Sequence, residues 1–321
     1  MTDEIKVSIL CLAYNHEKYI TQTLESFLMQ KTSFNYEIII HNDKSTDKTY
    51  DIINDYISKY PKKIKVINQI ENQYSLGVNI IKEYLFPSVR GKYVAFCEGD
   101  DYWVSDSKLQ LQYDFMESHE EYALCVHSCE IISERTEKKI GGKRPFLSNR
   151  IITTEEIISK VRNLFPFNSL FFRSDIISKL PEYTFSCTVT DFPLSIAVSM
   201  FGKSYYFDTP MSIYRSNSKG SWSVQIKKNT DAYLSYNKCA INFFSTMDKQ
   251  TNGKFHNAIN QKIDEFKYEK LLVEGNLILV KKYYFIYYKI LPIKSKIRLK
   301  FRFYFGLLNN IVRKINAKKQ E

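Results

Sequence analysis

The chain has 321 residues, of which 44% are hydrophobic, and its formal net charge is +11. This length and apolar content exclude an intrinsically disordered protein and predict one large domain with an appendage, or two modest domains. The sequence contains no run of about eighteen apolar residues, the minimum for a membrane-spanning helix. It begins with an acidic and then strand-like segment where an export signal would be basic and then apolar, so we expect a cytoplasmic protein.

The positive charge is concentrated near the C-terminal end. From residue 281 onward there are twelve Lys or Arg and one acid, which accounts for the whole net charge of +11. Basic and aromatic residues are interleaved in segments 283–291 and 294–305. This pattern favours a helix lying on an anionic membrane surface, at the inner face of the cell membrane. Stacking on nucleic acid and a helical cap with a solvated face are the alternatives; we expect the membrane and no nucleic acid.

The six cysteines lack the paired spacing of a zinc site or a disulfide framework, so we expect reduced and buried thiols. Cys125, His127 and Cys129 alternate along one predicted strand face. A half-buried strand accounts for this alternation, and we predict no zinc there.

The first two thirds of the chain alternates between strand and helix patterns. Predicted strands cover residues 5–13, 36–40, 64–68, 92–97, 122–127 and 167–173, and predicted helices cover 16–30, 49–60, 78–84, 108–117 and 191–201. This alternation favours an α/β fold with a mostly parallel sheet and helices on both faces. After about residue 225 the pattern is helical, so we predict an α/β domain at 1–225 and a helical, basic and aromatic region at 226–321.

Three polar clusters follow predicted strands: Tyr14-Asn15, Asn42-Asp43, and the acidic run at 98–101. In parallel sheets, ligands bind beyond the carboxyl ends of the strands, so we expect the three clusters to line one crevice. Asp43 can accept hydrogen bonds from a base or ribose, although a turn or helix cap is the alternative.

The acidic run is Glu98-Gly99-Asp100-Asp101. Three carboxylates in four residues repel one another unless a cation lies among them, and hard oxygen ligands suit Mg²⁺ or Mn²⁺. A solvated acidic turn is the alternative, but it does not account for the two aromatic residues, Tyr102 and Trp103, that follow directly.

The order of these motifs resembles the GT-A-fold family 2 glycosyltransferases over residues 5–225. The first strand with its Tyr-Asn pair, the loop Asn42-Asp-Lys-Ser-Thr-Asp47 and the acidic run Glu98-Gly-Asp100 are similar to the opening strand, the Asp-Asp-Gly-Ser-Thr-Asp loop and the Asp-x-Asp motif of that family. Gly91-Lys-Tyr, Trp103, Lys108-Leu-Gln, Thr190-Asp191-Phe-Pro-Leu and Tyr214-Arg215 extend the resemblance.

The resemblance implies roles for ten residues. Asp43 would bind the base, Glu98 and Asp100 the metal, and Asp191 would be the catalytic base. Six further residues would bind the donor: Ala13, Tyr14, Asn15, Asn72, Gly99 and Arg215. The implied enzyme uses Mn²⁺ or Mg²⁺ and moves one sugar, with inversion, from a nucleotide-diphosphate sugar to a saccharide or lipid-linked acceptor, as in surface polysaccharide synthesis. A UDP-sugar is the expected donor.

Several positions depart from the family pattern. Glu98 and Asn42 replace aspartates, Lys44 replaces a glycine, and Asn217 stands where a histidine often lies near the diphosphate. No Gln-x-x-Arg-Trp motif accompanies Trp222, which favours single transfer over processive synthesis. A sugar-phosphate nucleotidyltransferase is an alternative, but its glycine-rich first loop is missing. A non-enzymatic membrane or nucleic-acid binder is the other.

Overall fold

The computed structural model describes residues 4–161, 164–187, 189–216, 218, 226 and 229–285, and then 289, 293, 296, 297, 299–301, 303 and 304. The chain divides into two compact units, Met1–Gln225 and Ile226–Glu321. The positions of Asn217 and Trp222 lie outside the described residues.

The described strands of the first unit form a single sheet. They are β1 (Ile5–Ala13), β2 (Asn35–Asn42), β3 (Ile64–Asn68), β4 (Tyr93–Phe96), β5 (Tyr102–Trp103), β6 (Tyr122–Ser133), β7 (Lys139–Lys143), β8 (Arg150–Ile152), β9 (Phe171–Arg173) and β10 (Lys203–Ser216). Their spatial order is β3-β2-β1-β4-β9-β6-β10-β5, with β7 paired to β6 and β8 paired to β10.

The strands that carry the candidate site run in one direction. β3, β2, β1 and β4 are mutually parallel, β6 and β10 are parallel, and β9 joins the two groups by antiparallel pairing with both β4 and β6. β5, β7 and β8 are antiparallel to their neighbours. The predicted α/β class with a mostly parallel sheet is therefore confirmed, with antiparallel strands added within the sheet and at its edges.

Helices cover both faces of the sheet. The α-helices of this unit are α1 (Ile20–Leu28), α2 (Thr49–Lys59), α3 (Lys108–Ser118), α4 (Thr154–Ser159) and α5 (Asp191–Ser199). On β4, Tyr93 and Ala95 join the core cluster that includes Phe27 of α1. Phe96 is directed to the other face, where its ring centroid lies 6.4 Å from that of Phe86 in a 3₁₀ turn. Alternate side chains of one strand therefore enter two cores, as a sheet buried on both faces requires.

The predicted elements agree with the structure where the hydrophobic period is regular. β1 and β3 match their predicted ranges, while the predicted helix at 78–84 is a π-helical turn at Ile81–Leu85. The predicted strand at 167–173 is wrong in its first half, because Phe167–Ser169 forms a 3₁₀ turn after Pro166 and only β9 is extended. β10 was not predicted, because Pro210 and three irregularities in register interrupt its alternation.

The second unit is helical in its described part, as expected for a C-terminal α-helical extension. It contains α6 (Thr230–Gln250), α7 (His256–Val273) and α8 (Leu277–Tyr283). Phe244 of α6 packs against Phe266 of α7, with ring centroids 6.1 Å apart. Within the described residues, no helix is long and apolar enough to cross a bilayer.

Candidate active site

The loop after β1 is bonded to the loop after β2. The carbonyl of Ala13 accepts a hydrogen bond of 3.0 Å from the N–H of Asp43. Asn15 has a positive φ of 56°, and its Oδ1 accepts from the N–H of Thr46 at 2.7 Å. Tyr14, between these anchored residues, leaves 42% of its surface exposed. The Tyr-Asn pair therefore lies beyond the carboxyl end of β1, with an aromatic side chain open to a ligand.

The second loop tolerates a departure from the family pattern. Lys44 stands where the family has a glycine, and its φ is +58°, in the left-handed region that favours glycine. The loop keeps its path because Asn42 bonds on both sides: Nδ2 donates to Asn68 Oδ1 at 2.6 Å, and Oδ1 accepts from Ser45 Oγ at 2.5 Å.

The carboxylate of Asp43 holds the loop that follows β3. It accepts from the N–H of Gln73 at 2.6 Å and from the N–H of Tyr74 at 3.0 Å. The side chain of Asn72 donates to the Asp43 carbonyl at 2.9 Å. The structure thus brings together Asp43 and Asn72, two predicted donor-binding residues. Each carboxylate oxygen has a second lone pair, so Asp43 can hold the loop and still accept a hydrogen bond from a base.

The acidic loop approaches β1 closely at Gly99. Its N–H donates to the Leu12 carbonyl at 2.8 Å, and a Cβ built at this glycine would lie 2.7 Å from His16 Nδ1. Any side chain would therefore force the loop or the His16 ring to shift. Gly99 has a packing reason for being glycine, and the donor-binding role predicted for it remains a prediction.

The three carboxylates of this loop lie in different environments. Asp101 is 1% exposed, and its oxygens accept from the Arg215 N–H at 2.9 Å and the Asn168 amide at 2.8 Å. Glu98 and Asp100 are half-buried, and Asp100 Oδ2 accepts from the Ser218 hydroxyl at 2.6 Å. Asp101 is therefore a buried structural acid, and Glu98 and Asp100 are the carboxylates available to a ligand.

Glu98 is unstable as an anion in the protein alone. Burial, reinforced by the negative charges of Asp100 and Asp191, raises the pKa of Glu98 to about 8. A cation placed between Glu98 and Asp100 would offset the free-energy cost of ionising Glu98. Mg²⁺ is commonly held by one or two carboxylates together with substrate phosphates, and Mn²⁺ suits the same oxygen ligands. The donor set fits such an ion, although no group of three or more His, Cys, Asp or Glu suited to a metal occurs among the described residues.

Asp191 is the first residue of α5 and lies close enough to Glu98 to affect its titration. The residue is partly open to solvent, while its carboxylate is surrounded by protein atoms and Oδ1 accepts from the N–H of Phe192 at 2.7 Å. Desolvation raises the pKa of Asp191, and the Phe192 N–H and the charge of Lys143 oppose that shift. The predicted base and the predicted metal ligands therefore share one electrostatic environment.

Arg215 lies in a packed aromatic environment. It is 6% exposed, and its guanidinium carbon lies 5.2 Å from the Tyr19 ring centroid and 4.9 Å from that of Tyr102. One terminal nitrogen donates to the Gln22 side chain, and its buried Nε has no hydrogen-bond partner among the described residues. The predicted contact of Arg215 with the donor phosphate remains a prediction.

The sequence did not single out Lys143, the last residue of β7. Its charge opposes the raised pKa values that burial produces at Glu98 and Asp191, which places this cation near both acids. The segment Lys139-Ile-Gly-Gly-Lys143 has no hydrophobic alternation and no motif. Only the pairing of β7 with β6 reveals its position.

The mostly parallel sheet and the helices on both of its faces define an α/β protein with an acidic loop after β4. Comparison with known proteins gives the family. Residues 8–178 match the model of glycosyl transferase family 2. The chain belongs to this family, as its motifs predicted.

The similar curated proteins include an uncharacterized protein of Mycobacterium tuberculosis. The two are 31% identical over 220 residues, which is 67% of this chain and 60% of that protein. The chain thus spans about 60% of the length of that relative. The UDP-Glc:alpha-D-GlcNAc-diphosphoundecaprenol beta-1,3-glucosyltransferase WfaP of Escherichia coli is 42% identical over 112 residues, covering 35% of this chain and 41% of WfaP.

Solved structures support the GT-A fold. Residues 1–349 of Staphylococcus aureus TarS, in complex with UDP, align with a TM-score of 0.58 at 16% identity, covering 91% of this chain and 77% of that one. The mannosyltransferase PcManGT of Pyrobaculum calidifontis, in complex with GDP-Man and Mn²⁺, aligns with a TM-score of 0.51 at 12% identity, covering 94% and 85%.

Proposed function

We propose that this protein is an inverting glycosyltransferase that moves one sugar from a UDP-sugar to a saccharide or lipid-linked acceptor. The observation that carries the proposal is the proximity of Asp191, at the start of α5, to the acidic loop at the end of β4. A base for the acceptor and ligands for a metal ion beside the leaving diphosphate would thereby be available in one place.

In the proposed reaction, Asp191 accepts the proton of an acceptor hydroxyl as that oxygen attacks the anomeric carbon of the donor. The bond between this carbon and the diphosphate oxygen breaks on the opposite face, so the configuration inverts and the nucleoside diphosphate leaves with the bonding electrons. A raised pKa suits Asp191 to this role, since a general base works best with a pKa nearer the operating pH.

Glu98 and Asp100 would hold Mn²⁺ or Mg²⁺. When bound, the ion supplies positive charge to the departing diphosphate. The raised pKa of Glu98, to about 8, supports this assignment because the site is short of positive charge in the protein alone.

The remaining donor contacts would come from the loops at the carboxyl ends of β1, β2 and β3. Asp43 and Asn72 would hold the base, and Ala13, Tyr14 and Asn15 would line the uridine. Gly99 and Arg215 complete the proposed donor-binding set, with Arg215 near the phosphates. UDP in the TarS complex supports uridine as the base.

The proposal is tested by measuring UDP-, GDP- and dTDP-sugar binding and hydrolysis with Mn²⁺, Mg²⁺ or EDTA. Asp100→Ala should abolish metal-dependent binding. Asp191→Asn should bind the donor and lose turnover by about 10²- to 10⁴-fold, the usual contribution of a general base. Asp175→Asn, in an exposed pair with Lys179, is the control and should behave as wild type. If wild type binds no nucleotide sugar, the proposal is wrong.

The second unit is proposed to hold the enzyme on the anionic inner face of the cell membrane, where a lipid-linked acceptor would be presented. On α8, Ile278 and Tyr283 are 62% and 64% exposed, and Lys281 and Lys282 lie between them. Exposed apolar groups beside lysines suit the boundary between headgroups and acyl chains. The acceptor in the name of WfaP is a sugar on diphosphoundecaprenol, a lipid carrier, which supports this placement.

Sedimentation with vesicles tests the membrane proposal. The protein should pellet with phosphatidylglycerol-containing vesicles at low salt, and much less with phosphatidylcholine vesicles or at high salt. A double change, Ile278→Ser with Tyr283→Ser, should weaken binding at both salt concentrations. Equal sedimentation of wild type with neutral and anionic vesicles would contradict the role of the basic residues.

A further inference from the structure

The proposed reaction brings more negative charge to a site that is already acidic. Glu98, Asp100 and Asp191 are the carboxylates that bring negative charge to this site, whereas burial raises the pKa of Asp101 well above its usual range, and the donor adds a diphosphate. One divalent ion does not balance this total, so a second cation near the phosphates would stabilise both the bound donor and the leaving group.

Lys143 is delivered to this region by the β6–β7 hairpin. It lies opposite Cys129 of β6, and its Nζ lies 5.0 Å from the ring centroid of Tyr214 on β10. The strands approach closely here, because a Cβ built at Gly142 would lie 2.8 Å from the Cys129 carbonyl oxygen. The glycine before Lys143 therefore sets the position of the lysine.

The ammonium of Lys143 is near two acids but is paired with neither. Tyr214, whose ring lies beside the ammonium, is followed by Arg215, and the backbone N–H of Arg215 donates to Asp101 of the acidic loop at 2.9 Å. The ammonium therefore lies next to the strand segment that holds the acidic loop, and its charge also acts on Asp191. Nevertheless, among the described residues no carboxylate oxygen lies within the 4.0 Å of an ion pair to Lys143. By contrast, Lys139 on the same strand pairs with Glu130 at 2.6 Å. Lys143 therefore keeps donor capacity for a ligand that enters between the acids.

We propose that Lys143 binds a phosphate oxygen of the donor diphosphate and stabilises its charge as the nucleoside diphosphate leaves. This inference rests on the proposed function. The other nearby cation, Arg215, is buried against two aromatic rings and bonded to Gln22, whereas Lys143 is half-buried at the end of a strand. A flexible, compact ammonium suits a phosphate as a point charge.

The test is calorimetric titration of the protein, with Mn²⁺ present, against UDP, GDP and dTDP, and against the monophosphate of whichever diphosphate binds most tightly. Lys143→Met should weaken diphosphate binding by about tenfold or more, the usual range for a hydrogen bond between charged groups. Monophosphate binding should change less, so the ratio of the two affinities falls. Lys143→Arg should restore most of the ratio, and Lys139→Met is the matched control on β7.

An unchanged ratio in Lys143→Met, with unchanged thermal unfolding, would overturn the inference and leave the proposed function intact. A raised KM for a lipid-diphosphate acceptor with unaltered nucleoside diphosphate binding would also overturn it, because the lysine would then contact the acceptor. Failure of wild type to bind any of the three diphosphates would remove the proposed function and the inference together.

Discussion

The side-chain amide of Asn168 donates a hydrogen bond of 2.8 Å to Oδ2 of Asp101, and both side chains are buried. The amide oxygen of Asn168 accepts in turn from Ser212 at 2.6 Å, and its carbonyl accepts from the Trp103 indole at 3.1 Å. This network ties the acidic loop to β5 and β10. The most buried acid of the motif therefore has a structural role, next to two acids for which we propose a role in metal binding.

Replacing Asp101 and Asp100 by alanine should produce different defects. Asp101→Ala leaves the Asn168 amide and the Arg215 N–H unpaired in the interior, which should lower the free energy of unfolding by about 2–5 kcal/mol. Asp100→Ala should change stability little and abolish metal-dependent donor binding. Urea unfolding and calorimetry on both variants measure the two effects. Equal destabilisation by the two changes would contradict the division of roles.

Regular hydrophobic patterns made much of this fold predictable. β1 and β3 match their predicted limits, because continuous apolar runs between polar turns leave little choice of structure. β10 was missed because a strand with Pro210 in its middle loses both its alternation and a backbone donor. An irregular strand such as β10 forms because it pairs with neighbouring strands. The residues around it in the sequence do not show which strands those neighbours are.

The candidate site was predictable where chemistry and strand ends coincide. Asp43 and Asp100 could be singled out because acids at the carboxyl ends of strands follow a recognisable pattern, and Asp191 by the resemblance to the family; the roles of all three remain predictions. Lys143 was missed because it is one of many lysines, and only the approach of Gly142 to β6 distinguishes it. The sequence also did not show that Asp101 is buried and structural while Glu98 and Asp100 are open to a ligand, since Asn168, the partner of Asp101, lies 67 residues away along the chain.

Asp43→Ala should release the loop after β3. The change removes the acceptor of the Gln73 and Tyr74 N–H groups, so hydrogen exchange at these two amides should accelerate. Binding of uridine nucleotides should weaken in parallel, because the proposed uracil-binding site loses both the Asp43 carboxylate and the fixed position of the loop after β3. Asp51→Ala, on the exposed side of α2, is the control. Unaltered exchange at Gln73 would show that the loop is held by other contacts.

The stability of the metal-free protein should depend on pH through Glu98. Its pKa in the folded state is about 8, above the ordinary value of 4.5, so the folded state binds the extra proton between these limits. This stabilising contribution is complete below about 4.5 and is lost as the pH rises through about 8. In urea unfolding with EDTA, Glu98→Gln should lose less free energy of unfolding than wild type as the pH rises. The same dependence of that free energy on pH in the variant as in wild type would refute the prediction. Mn²⁺ should bind wild type more tightly as the pH rises, because the metal displaces this proton.

Gly99→Ala should displace the acidic loop. The new methyl group would lie 2.7 Å from His16 Nδ1, closer than side chains pack, and 3.1 Å from the Leu12 carbonyl oxygen, a tight contact. Overpacking of this kind costs about 1–3 kcal/mol, and the shift of Glu98 and Asp100 should reduce turnover further. Gly141→Ala is the matched control, because a Cβ there meets nothing within 4 Å. Thermal unfolding and turnover of both variants decide the matter: if the two alanines behave alike, the close approach of Gly99 to β1 does not position the acids.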